Sequence, residues 1–288
     1  MKAKITKYLP TGDHLLRELY PKREKFTHKG NYGKVLLLCG SVGTSGAAVL
    51  AARASCRSGS GLVYLGVPKS IYPIAAGRVL EAVVFPLEDK NTGHFLTENF
   101  DSLKDRLAKM DAVLIGPGCG QSDEFKGLVK KILQFCQVPV VLDADAINVF
   151  QDNPLELKEH SCPLILTPHD GEFSRIFSGK REDRAADAVS LAKQLDAVVL
   201  RKGFQSLITD GEVIYKNFTG NPGMAKGGSG DVLSGIMVSI LGRNRNVLKA
   251  SAGAVYLHGL AGDLAARYVG MEGMLPSDMI DAIPFCLK

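Results

Sequence analysis

Short, continuously apolar runs alternate along the chain with longer stretches whose apolar residues recur at helical spacing. This pattern predicts strands over 35–39, 62–67, 112–115, 138–142, 164–167, 197–200, 207–209 and 213–215. Between them it predicts helices over 45–58, 97–109, 123–135, 171–177, 185–195, 230–241 and 247–268. Apolar strands flanked by helices imply an α/β fold, a mostly parallel central sheet with helices on both faces. The runs 207–209 and 213–215, joined by Asp210-Gly211, read as a hairpin at one edge of that sheet. No Pro/Ser-rich linker, charge block or repeat divides the chain. The expectation is one domain over 1–288, with 1–28 as an N-terminal helical extension.

Parallel sheets bind ligands beyond the carboxyl ends of their strands. Polar or glycine-rich segments stand there after one predicted strand after another: 40–48, 116–120, 143–148, 168–172 and 202–206. The most informative segment is 219–235, TGNPGMAKGGSGDVLSG. It runs a Gly/Pro stretch into Gly227, Gly228, Ser229, Gly230 and Asp231, just ahead of an apolar helical pattern. The glycines then occupy a first helical turn, where N–H groups lack intrahelical partners and the dipole's positive end favours anions, phosphoryl groups above all. Asp231 adds a carboxylate suited to taking a proton from an attacking hydroxyl. The plainer alternative is an ordinary helix entry with a favourable N-terminal charge. Against it, glycines are costly to order unless a ligand uses them.

Other candidates carry alternatives of their own. Asp143 and Asp145, at a strand end, suit ribose hydroxyls or a water-mediated Mg²⁺, or the capping of the next helix. His169, after Thr167-Pro168, is either a hydrogen-bonder for a substrate amide or phosphate, or structural. Lys202, Gly203, Phe204, Gln205 and Ser206 offer a cation, a flexible turn, an aromatic face and two hydrogen-bonders, a cradle for a nucleotide. His258 lies inside an apolar helix and reads as a core or supporting histidine. No G-x-x-x-x-G-K-[ST] and no G-x-G-x-x-G entering a helix after the first strand is present, which argues against P-loop and dinucleotide-fingerprint enzymes.

Composition narrows the class. With 288 residues, 45% hydrophobic and 23% charged, the chain reads as a globular enzyme. The net charge of +5 is mild and its basic runs contain counter-charges, so no nucleic-acid partner is expected. Six cysteines without a C-x-x-C pair, no signal-peptide pattern and no membrane-length apolar run point to the cytoplasm and to no membrane partner.

Together the segments 30–41, 46–48, 57–63, 115–118, 143–148, 166–172, 201–203 and 220–235 resemble the ADP/ATP-dependent NAD(P)H-hydrate dehydratases of the ribokinase-like superfamily. The Asn221–Gly235 stretch and Thr-Pro-His-x-Gly-Glu at 167–172 are the specific parts. The resemblance implies repair of (S)-NADHX or NADPHX to NADH or NADPH. A nucleotide's terminal phosphoryl goes to the C6 hydroxyl, and phosphate is then eliminated. It implies Asp231 as the base and Gly228, Ser229 and Gly230 as holders of the phosphoryl group. It places Ala47, Gly118, His169 and Asp231 on the hydrate, and Lys202 to Ser206 with Gly230 on the nucleotide. It further implies Mg²⁺ with no ligands nameable, ADP favoured over ATP as donor, a tetramer, and an epimerase that is separate or absent. The rival is a vitamin-precursor kinase of the same superfamily, of the hydroxymethylpyrimidine or hydroxyethylthiazole type. His169 stands where the pyrimidine kinases typically show Asn. A non-catalytic nucleotide sensor would have no use for Asp231.

Overall fold

The computed structural model describes residues 7–179 and 183–287. Its strands are β1 (Lys7–Pro10), β2 (Lys34–Leu38), β3 (Leu62–Pro68), β4 (Val83–Leu87), β5 (Ala112–Ile115), β6 (Val140–Leu142), β7 (Leu164–Leu166), β8 (Ala197–Arg201), β9 (Leu207–Thr209) and β10 (Val213–Lys216). The first helices are α1 (Asp13–Leu19), α2 (Ser45–Arg57), α3 (Tyr72–Ala76), α4 (Asn99–Leu107), α5 (Asp123–Phe135) and α6 (Asp145–Asn148). After them come α7 (Asp170–Ile176), α8 (Arg184–Leu195), α9 (Ser229–Leu241), α10 (Val247–Val269) and α11 (Pro276–Cys286).

These ten strands join one sheet in the order β1-β10-β9-β8-β7-β6-β5-β2-β3-β4. Every pairing is parallel except those that β9 makes with β8 and β10. Strand alternation divides the core. Val35 and Leu37 pack with α2, α9 and α10 on one face, while Leu36 and Leu38 pack with α4, α5 and α8 on the other. The ribokinase-like α/β architecture expected from the pattern is the one observed.

Two elements differ in position from that expectation. The hairpin β9–β10 is not outermost, because β1 pairs in parallel with β10 and takes the edge. The segment before Lys29 therefore holds a strand as well as helix α1. β4, on the far edge, carries Pro86, a residue that an edge strand tolerates and that hides the strand from pattern reading.

Helix α9 is buried almost all round, between the sheet, α2 and α10. Close approach is possible because a Cβ at Gly235 would lie 2.2 Å from the Ala51 carbonyl oxygen of α2. Gly235→Ala should force the two helices apart and cost roughly 1–3 kcal/mol. Denaturant unfolding should show the lowered midpoint, and an unchanged midpoint would contradict this packing.

Candidate active site

The start of α9 is held in an unusual shape. Gly228, its N-cap, has φ +97°, and a Cβ there would meet Leu50 Cδ1 of α2 at 2.7 Å and Pro276 Cγ of α11 at 3.1 Å. A non-glycine residue would be strained at this φ and would press on Leu50 and Pro276. The Ser229 N–H donates to the Lys226 carbonyl at 3.2 Å. Among the described residues, the N–H groups of Gly227, Gly228, Gly230 and Asp231 meet no backbone acceptor. Unsatisfied donors at a helix's positive end form a receptor for an anion.

His258 of α10 supports this turn from below, its Nε2 3.0 Å from the Ser229 carbonyl oxygen. Burial pushes the imidazole down to about 4, so it is neutral near pH 7 and Nε2–H is the donor. Asp263 of α10 holds the preceding loop, accepting from the Gly220 N–H at 2.9 Å and Asn221 Nδ2 at 3.0 Å.

A buried ion pair lies against the same turn. Asp143, just past β6, accepts from Lys202 Nζ at 2.7 Å, Thr167 Oγ1 at 2.7 Å and Ser234 Oγ at 2.6 Å. A Cβ on Gly230 would stand 3.6 Å from Lys202 Nζ and 4.0 Å from Asp143 Oδ2, so the pair sits beside the Gly230 backbone. Burial opposes ionisation of Asp143, but the Lys202 ammonium and the three hydrogen bonds prevail and hold its carboxyl below the usual range. Lys202, whose ammonium is also near Glu172 at 3.7 Å, is held above its ordinary value by Asp143 and Glu172 against the effect of burial.

Asp231 behaves oppositely. Burial first, then the negative charge of Asp143, raises its carboxyl to about 7, with Lys202 opposing and Asp145 adding. A carboxylate poised near neutrality is what general-base chemistry at ordinary pH needs.

The remaining candidates fall into two groups. His169, Lys202, Gly203, Phe204, Gln205, Ser206, Ser229 and Gly230 line one cavity of about 920 Å³, with Phe218 and the 219–222 loop opposite. Gly203 and Gln205 have φ of +140° and +54°, and Ser206 Oγ donates to the Gly203 carbonyl at 2.9 Å, which curls this loop around the cavity. Ala47 and Gly118 lie outside that lining and touch each other: a Cβ on Gly118 would be 2.9 Å from the Ala47 Cβ. Ala47 is one turn before Leu50, the residue against Gly228. Asp231 also lies outside the cavity lining and is within electrostatic reach of Asp145 and Cys119, next to Gly118. The glycine turn thus stands between a nucleotide-sized cavity and a second group of small residues.

His169 has the structural role that the sequence left open. Its Nδ1 caps α7, accepting from the N–H groups of Gly171 (3.0 Å) and Glu172 (3.2 Å). With Nδ1 an acceptor, Nε2 is the ring's donor position, and it stands 3.5 Å from Glu172 Oε1 in a half-exposed side chain. Asp143 spends its carboxylate on internal partners and caps no helix. Asp145 accepts from the Gly120 N–H at 2.8 Å, fixing the loop that contains Gly118.

Phe218, Asn217 and Asp263 were not singled out by sequence. Asp263 had one visible signal, a carboxylate inside an apolar helical run. Among the described residues no group of three or more His, Cys, Asp or Glu side chains can hold a metal ion.

This arrangement matches known proteins across its length. A family model described as NAD(P)H-hydrate dehydratase matches residues 35–285. The chain belongs to the NAD(P)H-hydrate dehydratase family. An ADP-dependent (S)-NAD(P)H-hydrate dehydratase of Listeria monocytogenes is 32% identical over 277 residues, covering 93% of this chain and 92% of that protein. A bifunctional NAD(P)H-hydrate repair enzyme of Moorella thermoacetica is 41% identical over 278 residues, 94% of this chain but 52% of that protein. The chain thus spans about half the length of the bifunctional relatives it matches. Among solved structures, the ADP/ATP-dependent NAD(P)H-hydrate dehydratase of Bacillus subtilis, co-crystallised with ATP/Mg²⁺, superposes with a TM-score of 0.81 at 31% identity. That match covers 96% of this chain and 97% of the other.

Proposed function

We infer that the protein is a nucleotide-dependent dehydratase that returns (S)-NADHX and NADPHX to NADH and NADPH. The observation that carries this reading is the juxtaposition of Asp231, raised to about 7, with the unsatisfied N–H groups of the Gly227–Asp231 turn. A base beside a phosphoryl receptor serves transfer of a phosphoryl group to a hydroxyl.

In this reading the nucleotide occupies the cavity, its phosphates on Lys202 and the Gly230 N–H and its base and ribose among Gly203, Phe204, Gln205 and Ser206. The hydrated nicotinamide lies on Ala47, Gly118 and His169, whose Nε2–H suits its carboxamide oxygen. Asp231 takes the C6 hydroxyl proton as that oxygen bonds to the terminal phosphorus, and the nucleotide departs one phosphoryl shorter. The Gly230 and Asp231 N–H groups, with Lys202, hold the charge that spreads over the phosphoryl oxygens. The C6–O bond then breaks toward phosphate, driven by the ring-nitrogen lone pair, and loss of the C5 proton restores the ring. ADP is the favoured donor, yielding AMP and phosphate, and Mg²⁺ accompanies the phosphates. The enzyme acts as a tetramer in the cytoplasm.

A ³¹P spectrum of the reaction with ADP and then ATP tests the donor. ADP should be consumed to AMP and phosphate in step with hydrate loss, and faster than ATP. Formation of a stable phosphorylated alcohol from a thiazole or pyrimidine acceptor, with no hydrate turnover, would support the kinase instead. The pH profile of kcat should rise through about 7 as Asp231 loses its proton. A profile flat between roughly 6 and 8 would remove Asp231 from the role of base.

A further inference from the structure

A second cavity, of about 750 Å³, opens at the opposite end of the sheet, where β2 and β3 begin at Lys34 and Leu62. Its wall carries Lys29, Lys34, Arg106 and Lys109 against a single acid, Asp105. Some lysines elsewhere stand in ion pairs: Lys69 with Glu88, Lys90 with Glu98, Lys126 with Glu156, and Lys249 with Glu18. Among the described residues none of the four cavity cations has a carboxylate at ion-pair distance. Asp111, the nearby acid, accepts from the Lys34 backbone N–H at 2.7 Å. Arg106 is fixed with its guanidinium 3.7 Å from the Phe85 ring centroid, which leaves its N–H edge free for an anion. Leu62, Tyr64, Val83 and Met110 supply an apolar and aromatic wall to the same space.

Unpaired like charges around one concavity repel each other, and they focus a positive potential into it. An anion entering would relieve that repulsion. A planar cation stacked in place offers a rigid fork for phosphate or carboxylate oxygens. The apolar wall adds a place for the non-ionic part of the ligand.

We propose that this cavity is a second binding site, distinct from the active site, for a phosphorylated small molecule bearing a flat ring. Its phosphoryl groups lie on Arg106, Lys109 and Lys34 and its ring on Tyr64 and Leu62. Because the two cavities share no residue, this site stands independently of the reaction inferred above.

Calorimetric titration of the full chain with ADP is the test, in wild type, in Arg106→Gln/Lys109→Glu and in Lys202→Ala. Wild type should show two binding events per chain, the weaker fading as salt is raised and displaced by inorganic tripolyphosphate. The double variant should weaken that event at least about tenfold, as loss of two charge-assisted contacts implies, with hydrate turnover unchanged. Lys202→Ala should weaken only the other event. Because Arg106 also packs on Phe85, Lys109→Glu alone, an exposed position, should reproduce the direction of the effect. A single event that Arg106→Gln/Lys109→Glu leaves intact, or two events both insensitive to it, would overturn the second site. Two events with Lys202→Ala silent would instead count against the placement of the nucleotide in the active site.

Discussion

Asp231→Asn should lower turnover by on the order of 10³-fold, the size of effect expected when a general base is lost. Nucleotide affinity should stay near wild type, because the Gly230 N–H, Lys202 and the 203–206 loop are untouched. The same substitution should also change stability, with a definite sign. The Asp231 carboxyl is raised from 3.8 to about 7 in the folded chain, so folding disfavours its charged form. The wild-type protein is unpenalised below about 4 and loses stability as pH rises from there toward 7. A rise of that size corresponds to at most about 4 kcal/mol at pH 8. An asparagine at this position carries no charge and escapes the penalty. The variant should therefore melt higher than wild type at pH 8 and alike near pH 4, while being almost inactive. A variant that is active, or that gains no stability at alkaline pH, would show that Asp231 is not the strained base described here.

Asp143→Ala should be the most damaging single change to the fold of the site. It would leave the Lys202 ammonium, the Ser234 hydroxyl and the Thr167 hydroxyl without their shared acceptor. Breaking one side of a buried pair costs about 3–5 kcal/mol. Thermal unfolding should show a large drop, and Lys202, freed from its anchor, should no longer stand beside Gly230. The isosteric Asp143→Asn is more informative about chemistry. It removes the negative charge that helps raise Asp231 and releases part of the Lys202 charge that lowers it. Both changes push the Asp231 carboxyl down. The rising limb of the pH profile should move to lower pH, a shift that a purely structural role for Asp143 does not produce. An unmoved limb in a folded Asp143→Asn protein would separate the two carboxylates.

What the sequence made legible follows from how local each signal is. The buried strand at 112–115 and the amphipathic helix at 123–135 coincide with β5 and α5, because a full apolar run and a Ser122-capped helical face need no distant partner. Strands β1 and β4 escaped notice because each is short and contains a proline, and α11 because Pro284 lies inside it. The glycine turn was readable for the same local reason: Gly227, Gly228 and Gly230 around Ser229 announce a backbone receptor by composition. The buried network was not. Thr167, Lys202 and Ser234 reach Asp143 from 24, 59 and 91 residues away, and no spacing rule connects them. The capping role of His169 likewise needed the Gly171 and Glu172 N–H positions.

The most direct test of a dehydratase with Asp231 as its base is the growth of reduced-nicotinamide absorbance when the purified protein meets (S)-NADHX, Mg²⁺ and ADP, with Asp231→Asn run beside it. Wild type should give a nucleotide-dependent rise, absent without ADP or ATP and all but absent in the variant. A flat trace with both nucleotides, or an equal rise in Asp231→Asn, would contradict that assignment.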